Sequence, residues 1–422
     1  MKIKRTIRIA FVFLVILTLA VFAIACDRNN SKEFKYAIID YNKKIVAITG
    51  IKDPYASTIV IPESINGYTV TSIDDYVFSN NPYIETVYLP KTIEYMGRGA
   101  FYKCEYLTSV YGLEECTNMT EIAQDTFFGC ASLSHILLPE GLVSIKQGAF
   151  KSCWTMPTIN IPESVEYIGK YAFDNCQSIE QIVIPSRVTV IEEGTFFGCL
   201  ALKDVVLHDQ ITSIGAIAFT NCYSLERITL PSSLIFMGSD IFNNCGQLLE
   251  VVVPSGVKAI NSRAFVACIS LTNISLPASI ESISFDAFDY CNSLVNVSID
   301  ESNPRYYSDN GVIYDKKENM IFRYSMGKTG ESFTIPDGIE IIGFGSFAGV
   351  DSSLKYLIIP SSVKEVKDYA FYSSCIEQIY YQGTVEEWTS ISKDSLWNEK
   401  TMDYTIYCTD GEIAKDGTVT YK

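Results

Sequence analysis

Histidine is scarce in this sequence of 422 residues, which holds only His135 and His208. Zinc enzymes and histidine-based acid–base catalysts therefore have little material to work with. Basic residues are few as well, since 33 Lys and Arg stand against 49 Asp and Glu, which gives a formal net charge of −16. This excess of negative charge disfavours nucleic acids and anionic lipid surfaces as partners that bind through charge.

The sequence also lacks the motifs of the common enzyme classes. It contains no G-x-S-x-G, no P-loop and no dinucleotide fingerprint. Its carboxylates are scattered, and no pair of them suggests the acid and nucleophile of a glycosidase. We therefore predict a protein that is not an enzyme, with no catalytic, metal-binding or cofactor-binding residues and no cofactor.

The N-terminal residues have the form of a secretory signal. Residues 1–8 carry basic side chains and no acid, and residues 9–24 form an apolar run without charge. This run is shorter than the roughly 20 residues that a membrane-spanning helix needs. We therefore expect the body of the protein to lie outside the cytoplasm.

The apolar run ends in small residues before a lone cysteine, and a polar stretch follows. Residues 23–26 resemble a bacterial lipobox, although Ala23 takes the place of the usual Leu. The resemblance implies a lipoprotein signal peptide at 1–25 and a lipidated tether at 26–33, with Cys26 acylated and holding the protein on a membrane at the cell surface. An uncleaved anchor and ordinary secretion remain the alternatives.

The rest of the sequence repeats with a period of 23 residues. A phenylalanine precedes each periodic cysteine by three residues, and proline forms a further column in the same phase. The cysteines at this step are Cys130, Cys153, Cys176, Cys199, Cys222, Cys245, Cys268 and Cys291. One unit cannot bury its apolar face alone, so the units must stack into a continuous core.

The unit at residues 133–153 shows what each repeat contributes. Ile136 and Leu138 are two residues apart and share one face of a short strand. Pro139 has no N–H and ends the strand. Phe150 and Cys153 complete the inward-facing set after an irregular or helical arc.

This motif, L-x-x-I-x-L-P-x-x-V-x-x-I-x-x-x-A-F-x-x-C, resembles the 23-residue repeats of BspA-like and treponemal leucine-rich repeat proteins. The resemblance implies a leucine-rich repeat solenoid, with a parallel β-sheet on one face and short helical or irregular arcs on the other. It places repeats at 59–302 and 333–383, an N-terminal cap at 34–58 and a C-terminal cap at 384–422. Capped solenoids are often monomeric, so a monomer is expected.

Residues 303–332 break the period. Val312–Tyr314 and Met320–Tyr324, joined by polar residues, predict a β-hairpin. We expect this insertion to project from the side of the solenoid. It either builds binding surface or is a neutral decoration.

The cysteine column permits two interpretations. Neighbouring cysteines of an in-register stack would lie about 5 Å apart, within the range of disulfides, and secretion permits oxidation. One small residue per coil in an inward column also behaves as a core hydrophobe. The regularity of the column favours buried thiols over disulfides.

Residues beside the inward strand positions face outward and form two variable columns, which suit adaptable contacts with proteins or glycans. The predicted ligand-facing residues come from these columns and from the hairpin. They are Tyr88, Tyr111, Arg227, Glu250, Tyr306, Tyr307, Tyr314, Tyr324, Tyr356 and Tyr380.

The family resemblance implies a lipid-anchored cell-surface protein that mediates adhesion by binding a host protein, a glycan or other cells. The membrane is then a partner only through the lipid on Cys26, and no nucleic acid is involved. The alternative is an envelope-organising protein that binds cell-wall polymer or a neighbouring surface protein. Protease treatment of intact cells separates the two, because an adhesin must be exposed.

Overall fold

A computed structural model describes residues 33–350 and 353–422 of the chain. The predicted signal peptide, Cys26 and nearly all of the predicted tether lie outside the described residues. The chain divides into two compact units, Met1–Ile179 and Glu180–Lys422. Within each unit, short strands of successive repeats pair in parallel, which confirms the predicted repeat solenoid.

The described part of the first unit begins with an antiparallel pair, Phe34–Asp40 and Ile45–Ile51, and the second of these strands pairs in parallel with Tyr68–Ile73. One 3-10 turn, Leu113–Glu115, lies in the repeat between Phe101 and Phe127, where these two core rings are 26 residues apart instead of 23. The strands of this unit are β1 Phe34–Asp40, β2 Ile45–Ile51, β3 Thr58–Val60, β4 Ser64–Ile65, β5 Tyr68–Ile73, β6 Thr86–Tyr88, β7 Tyr95–Met96, β8 Ser109–Tyr111, β9 Glu121–Ile122, β10 His135–Ile136, β11 Ser144–Ile145 and β12 Tyr167–Ile168.

Most coils carry two short strands. The first series, β3, β6, β8 and β10, forms a parallel sheet at the positions that the sequence predicted. The second series lies on the returning limb of the coil, as in β9, β11 and β12, and forms a further parallel sheet. The repeat motif predicts inward-facing residues on that limb but no strands, so the second sheet is a finding of the structure.

The second unit repeats the same two series. Its strands are β13 Gln181–Val183, β14 Val190–Ile191, β15 Asp204–Val206, β16 Ser213–Ile214, β17 Phe236–Met237, β18 Glu250–Val252, β19 Ala259–Ile260, β20 Asn273–Leu276, β21 Ser282–Ile283, β22 Asn296–Ile299, β23 Tyr306–Asp309, β24 Val312–Asp315, β25 Met320–Tyr324, β26 Ser332–Thr334, β27 Ile341–Ile342, β28 Tyr356–Ile359, β29 Glu365–Val366, β30 Gln378–Tyr381, β31 Ser392–Lys393, β32 Thr405–Tyr407, β33 Gly411–Ala414 and β34 Val419–Tyr421.

The inserted segment contains three antiparallel strands, β23, β24 and β25, of which β24 and β25 form the predicted hairpin pair. The expectation that it projects from the solenoid is wrong. All four residues of β24 are buried, and β25 pairs in parallel with β27, so the segment occupies a place in the stack. Tyr324 stacks on Phe347 at 5.5 Å between ring centroids, in the column of core rings.

A stack of phenylalanine rings fills the centre of the coils in each unit. In the first unit, Phe127 lies 5.5 Å from Phe101 and 5.5 Å from Phe150, with rings nearly parallel. In the second unit, Phe219 and Phe242 are 5.7 Å apart. These rings are fully buried, so the column removes a large aromatic area from water in every coil that it passes through.

The periodic cysteines are buried, and their thiols have a regular polar partner. The thiol of Cys153 donates to the carbonyl oxygen of Phe127 at 3.3 Å, and the thiol of Cys245 donates to that of Phe219 at 3.1 Å. The column therefore does more than fill space, because each thiol satisfies a backbone carbonyl of the preceding coil.

The second unit ends in one short helix and three antiparallel strands. Helix α1, Val385–Ser390, begins with a capping box in which Thr384 and Glu387 bond each other's backbone N–H. Its Trp388 is buried against Tyr381 and Trp397. Beyond it, β32, β33 and β34 pair antiparallel, so the parallel stacking stops at this point.

Candidate binding surface

Two of the predicted ligand-facing residues lie side by side on the outward face of the first unit. Tyr88 and Tyr111 occupy paired positions of β6 and β8, and their rings stack at 5.1 Å. His135 adds a third ring at 4.9 Å from Tyr111. We call these three residues the N-terminal ladder.

The spacing of the strands produces this ladder. Parallel strands lie about 4.8 Å apart, so flat side chains at equivalent outward positions meet face to face. The inward neighbours Val87 and Val110 are fully buried and fix the register. Partial burial, and secondarily the charge of Tyr111, raises the pKa of the Tyr88 phenol, so its hydroxyl remains a neutral donor at physiological pH.

The second unit carries a similar group of rings on its outward strand face. Tyr380 and Tyr407 are paired residues of β30 and β32, and their rings stack at 5.2 Å. Tyr356 of β28 approaches Tyr380 diagonally at 6.5 Å. We call Tyr356, Tyr380 and Tyr407 the C-terminal ladder.

Arg227 and Glu250 are also neighbours, joined by an isolated parallel bridge, and both are exposed. They line a shallow groove of about 460 Å³ together with Thr229 and Val252. Val252 is 68% exposed, which leaves an apolar patch beside the two charged side chains. The prediction that these positions face outward is confirmed.

The structure corrects the placement of the tyrosines in the inserted segment. Tyr306, Tyr314 and Tyr324 are at most 2% exposed, so they pack the core and cannot form a ligand face. Tyr307 is partly buried and stacks on Tyr314 at 4.8 Å. Tyr324 takes a place in the column of core rings, and Tyr314 belongs to the same buried cluster.

Sequence reasoning missed two ring contacts. The C-terminal cap predicted at 384–422 includes Tyr407, and neither Tyr407 nor His135 is among the predicted ligand-facing residues. The signal for Tyr407 is its place at the end of a T-x-Y sequence, which continues the strand pattern of Gln378–Tyr381 into the cap. Cys26, the predicted lipidation site, lies outside the described residues.

Stacked two-strand coils with buried aliphatic, phenylalanine and cysteine columns define a leucine-rich repeat protein. The chain matches the family model described as BspA type Leucine rich repeat region (6 copies) over residues 55–121, 71–203, 113–226, 191–310 and 319–407. The chain therefore belongs to this family. No curated protein matches the chain.

Two solved structures have the same fold. A leucine rich cell surface protein from Faecalibacterium prausnitzii is 24% identical, with a TM-score of 0.53 over 86% of this chain and 97% of that one. A leucine-rich repeat protein from Bacteroides ovatus is 22% identical, with a TM-score of 0.55 over 89% and 98% of the two chains. At these identities the likeness shows the fold alone.

No helix in residues 33–350 or 353–422 has the length and apolar character to cross a membrane.

Proposed function

We propose that this protein is a lipid-anchored, non-catalytic adhesion protein of the bacterial cell surface, which binds a macromolecule through the outward strand faces of its repeats. The observation that carries the proposal is the pair of ring ladders. On the outward strand faces of the repeats, Tyr88, Tyr111, Tyr380 and Tyr407 hold stacked rings at the surface. Surface tyrosines lose little entropy on binding and offer both a flat apolar face and a hydroxyl.

The family and the mixed character of the surface favour a protein or glycan partner. Solenoids of stacked repeats commonly use their extended sheet face for binding. The exposed Arg227 and Glu250 lie beside the exposed Val252, and no single sign of charge dominates this groove. A neutral, amphipathic partner surface therefore fits better than a polyanion.

The proposal predicts that residues 27–422 bind a host matrix protein or mucin glycan saturably at physiological salt. The ladder variant Y88S/Y111S/Y380S/Y407S is expected to weaken that binding about tenfold or more, because tyrosine is enriched among hot spots and truncation of even one hot spot costs about 2 kcal/mol or more. Surface plasmon resonance against an array of matrix proteins, mucin glycans and purified cell wall measures it.

A matched control changes tyrosines of the turns. Tyr106 and Tyr223 are 58% and 42% exposed and lie outside the strands, so Y106S/Y223S should bind like the wild type. Equal binding by wild type and ladder variant would contradict the proposed face. Binding to cell wall alone would instead support the envelope-organising alternative.

The anchoring part of the proposal has its own test. Expressed with its leader in a bacterium, the full chain should incorporate labelled palmitate and enter the detergent phase of a Triton X-114 separation. Cys26→Ala should abolish both, since the thiol that receives the acyl chain is gone. Retention of the label in Cys26→Ala would place the acyl group on another cysteine and refute the lipobox assignment.

A further inference from the structure

The inserted segment leaves a notch on the surface of the second unit that is formed by the irregular arcs, the segments between each second-series strand and the core ring. In neighbouring coils the core ring follows the second-series strand by five residues, as Phe347 follows Ile342. Tyr324 occupies the same ring column but follows Ile321, the partner of Ile342, by only three. The arc of this coil is therefore two residues shorter, and side chains of the adjacent coils line the space that it leaves.

Four aromatic rings line this notch. Phe285 and Phe344 meet at 4.4 Å between centroids, and both keep much of their surface in solvent, at 49% and 37% exposure. Tyr369 contacts Phe344 at 5.3 Å, and Tyr372 contacts Tyr369 at 5.6 Å. The rings are tilted or edge-to-face, so they offer flat faces in more than one direction.

The floor of the notch is a buried arginine. Arg323 stands directly before the ring column, where regular coils such as that of Phe288 have the small Ala287. Its guanidinium donates to the carbonyl oxygen of Gly345 at 2.9 Å and to a carboxylate oxygen of Asp289 at 2.7 Å. Asp289 keeps 36% of its side chain exposed, so this held carboxylate also faces the solvent of the notch.

The charges of the notch are balanced. Besides the pair Arg323 and Asp289, its wall holds Glu399 and Lys400, and Lys400 donates to the Tyr372 hydroxyl at 2.9 Å. A quaternary ammonium ligand would suit the rings but would meet two cations. An anionic ligand would meet two carboxylates. A neutral ligand with an apolar face and several hydroxyl groups avoids both penalties.

We propose that this notch binds one neutral pyranose residue of a glycan or polysaccharide. Ring faces would cover the C–H face of the sugar, while Asp289, Glu399 and the Tyr372 hydroxyl would bond its hydroxyl groups. The notch holds about 350 Å³, at the lower end of small-ligand pockets and large enough for one or two sugar rings. This inference rests on the proposed function, since it adds a second site and a ligand class to the same surface protein.

Saturation-transfer NMR on residues 27–422 with methyl glycosides of glucose, galactose, mannose and N-acetylglucosamine tests the proposal. At least one glycoside should show transfer to its C–H face. Phe344→Leu should weaken that binding about tenfold, because it keeps apolar bulk but loses the flat face, whereas Phe344→Tyr should retain it. Phe236→Ala, which removes an exposed ring outside the notch, should have no effect.

Two further arms identify the source of the sugar. A mammalian glycan array and purified bacterial wall polysaccharide, each probed with wild type and Phe344→Leu, show which polymer presents the sugar. Absence of transfer from every glycoside, or equal binding by wild type and Phe344→Leu, would overturn the proposal. So would binding of a proline-rich peptide in place of sugar. The ladder variant leaves the notch intact, so loss of macromolecular binding and loss of sugar binding are separate results.

Discussion

Raising the pH from 8 to 10 under reducing conditions is expected to destabilise the protein strongly, because its buried thiols cannot ionise while it is folded. Burial raises the pKa of the Cys104, Cys116 and Cys291 thiols to about 12. The pKa values of Cys130 and Cys245 also lie well above the ordinary value, again chiefly through burial. In the unfolded chain, a cysteine ionises near pH 8.5 to 9 (about the value of a free thiol).

The direction follows from proton linkage. The pKa of each thiol is higher in the folded protein than in the unfolded chain. Its contribution to the stability of the folded state is therefore fully present below about pH 8.5 and is lost as the pH rises toward the folded pKa. In that pH window, each such thiol lowers the free energy of unfolding by about 1.4 kcal/mol per pH unit. The second unit contains four such thiols, Cys222, Cys245, Cys268 and Cys291. Together they should lower its free energy of unfolding by about 6 kcal/mol by pH 10, which is comparable with the stability of an ordinary domain.

Thermal unfolding followed by circular dichroism at pH 7.5, 9 and 10 measures this effect, and we expect Tm to fall by about 10 to 20 °C. The variant C222A/C245A/C268A should be less stable at pH 7.5 but lose less stability with rising pH, since three titrating groups are gone. An identical pH dependence in both proteins would mean that the thiols do not titrate on unfolding.

The repeat columns made the stack predictable, because each inward position recurs at the same phase and has one physical role. Phe150, Cys153 and the strand pair Ile136 and Leu138 are buried as their pattern indicated. The second parallel sheet was not predictable in the same way. Its strands, such as Ser144–Ile145, have only two residues, which is too short for the alternation that marks a strand.

The inserted segment shows a different limit of sequence reasoning. Tyr324 belongs to the column of core rings and lies 23 residues before Phe347, but 36 residues separate it from Phe288, so the insertion breaks the count that would link it to the earlier coils. Tyrosine is also compatible with either environment, since its ring can be buried while its hydroxyl bonds elsewhere. Pattern alone therefore could not distinguish displayed tyrosines such as Tyr380 from buried ones such as Tyr314. The notch beside Arg323 was beyond prediction for the same reason.

Removal of one ring from the central stack should be the most damaging single substitution in the repeats. Phe242 is fully buried between Phe219 and Phe265, at 5.7 and 5.6 Å. We expect Phe242→Ala to lower the free energy of unfolding by about 3 to 5 kcal/mol, as large-to-small changes of buried phenylalanine do. The cavity cannot close easily, because the backbone ladders fix the distance between coils.

Urea unfolding of wild type and variant measures the loss, and the same coil supplies the control. Phe236 lies in β17 and is 50% exposed, so Phe236→Ala removes an equal side chain at a cost of less than about 1 kcal/mol. Because each coil contacts chiefly its neighbours, amide hydrogen exchange in Phe242→Ala should accelerate first around Phe219 and Phe265. Equal losses of unfolding free energy from the two substitutions would contradict the idea that the ring column stabilises the repeats. A large loss confined to Phe242→Ala would show that the buried ring column contributes more to the stability of the coil than an exposed ring of the same size.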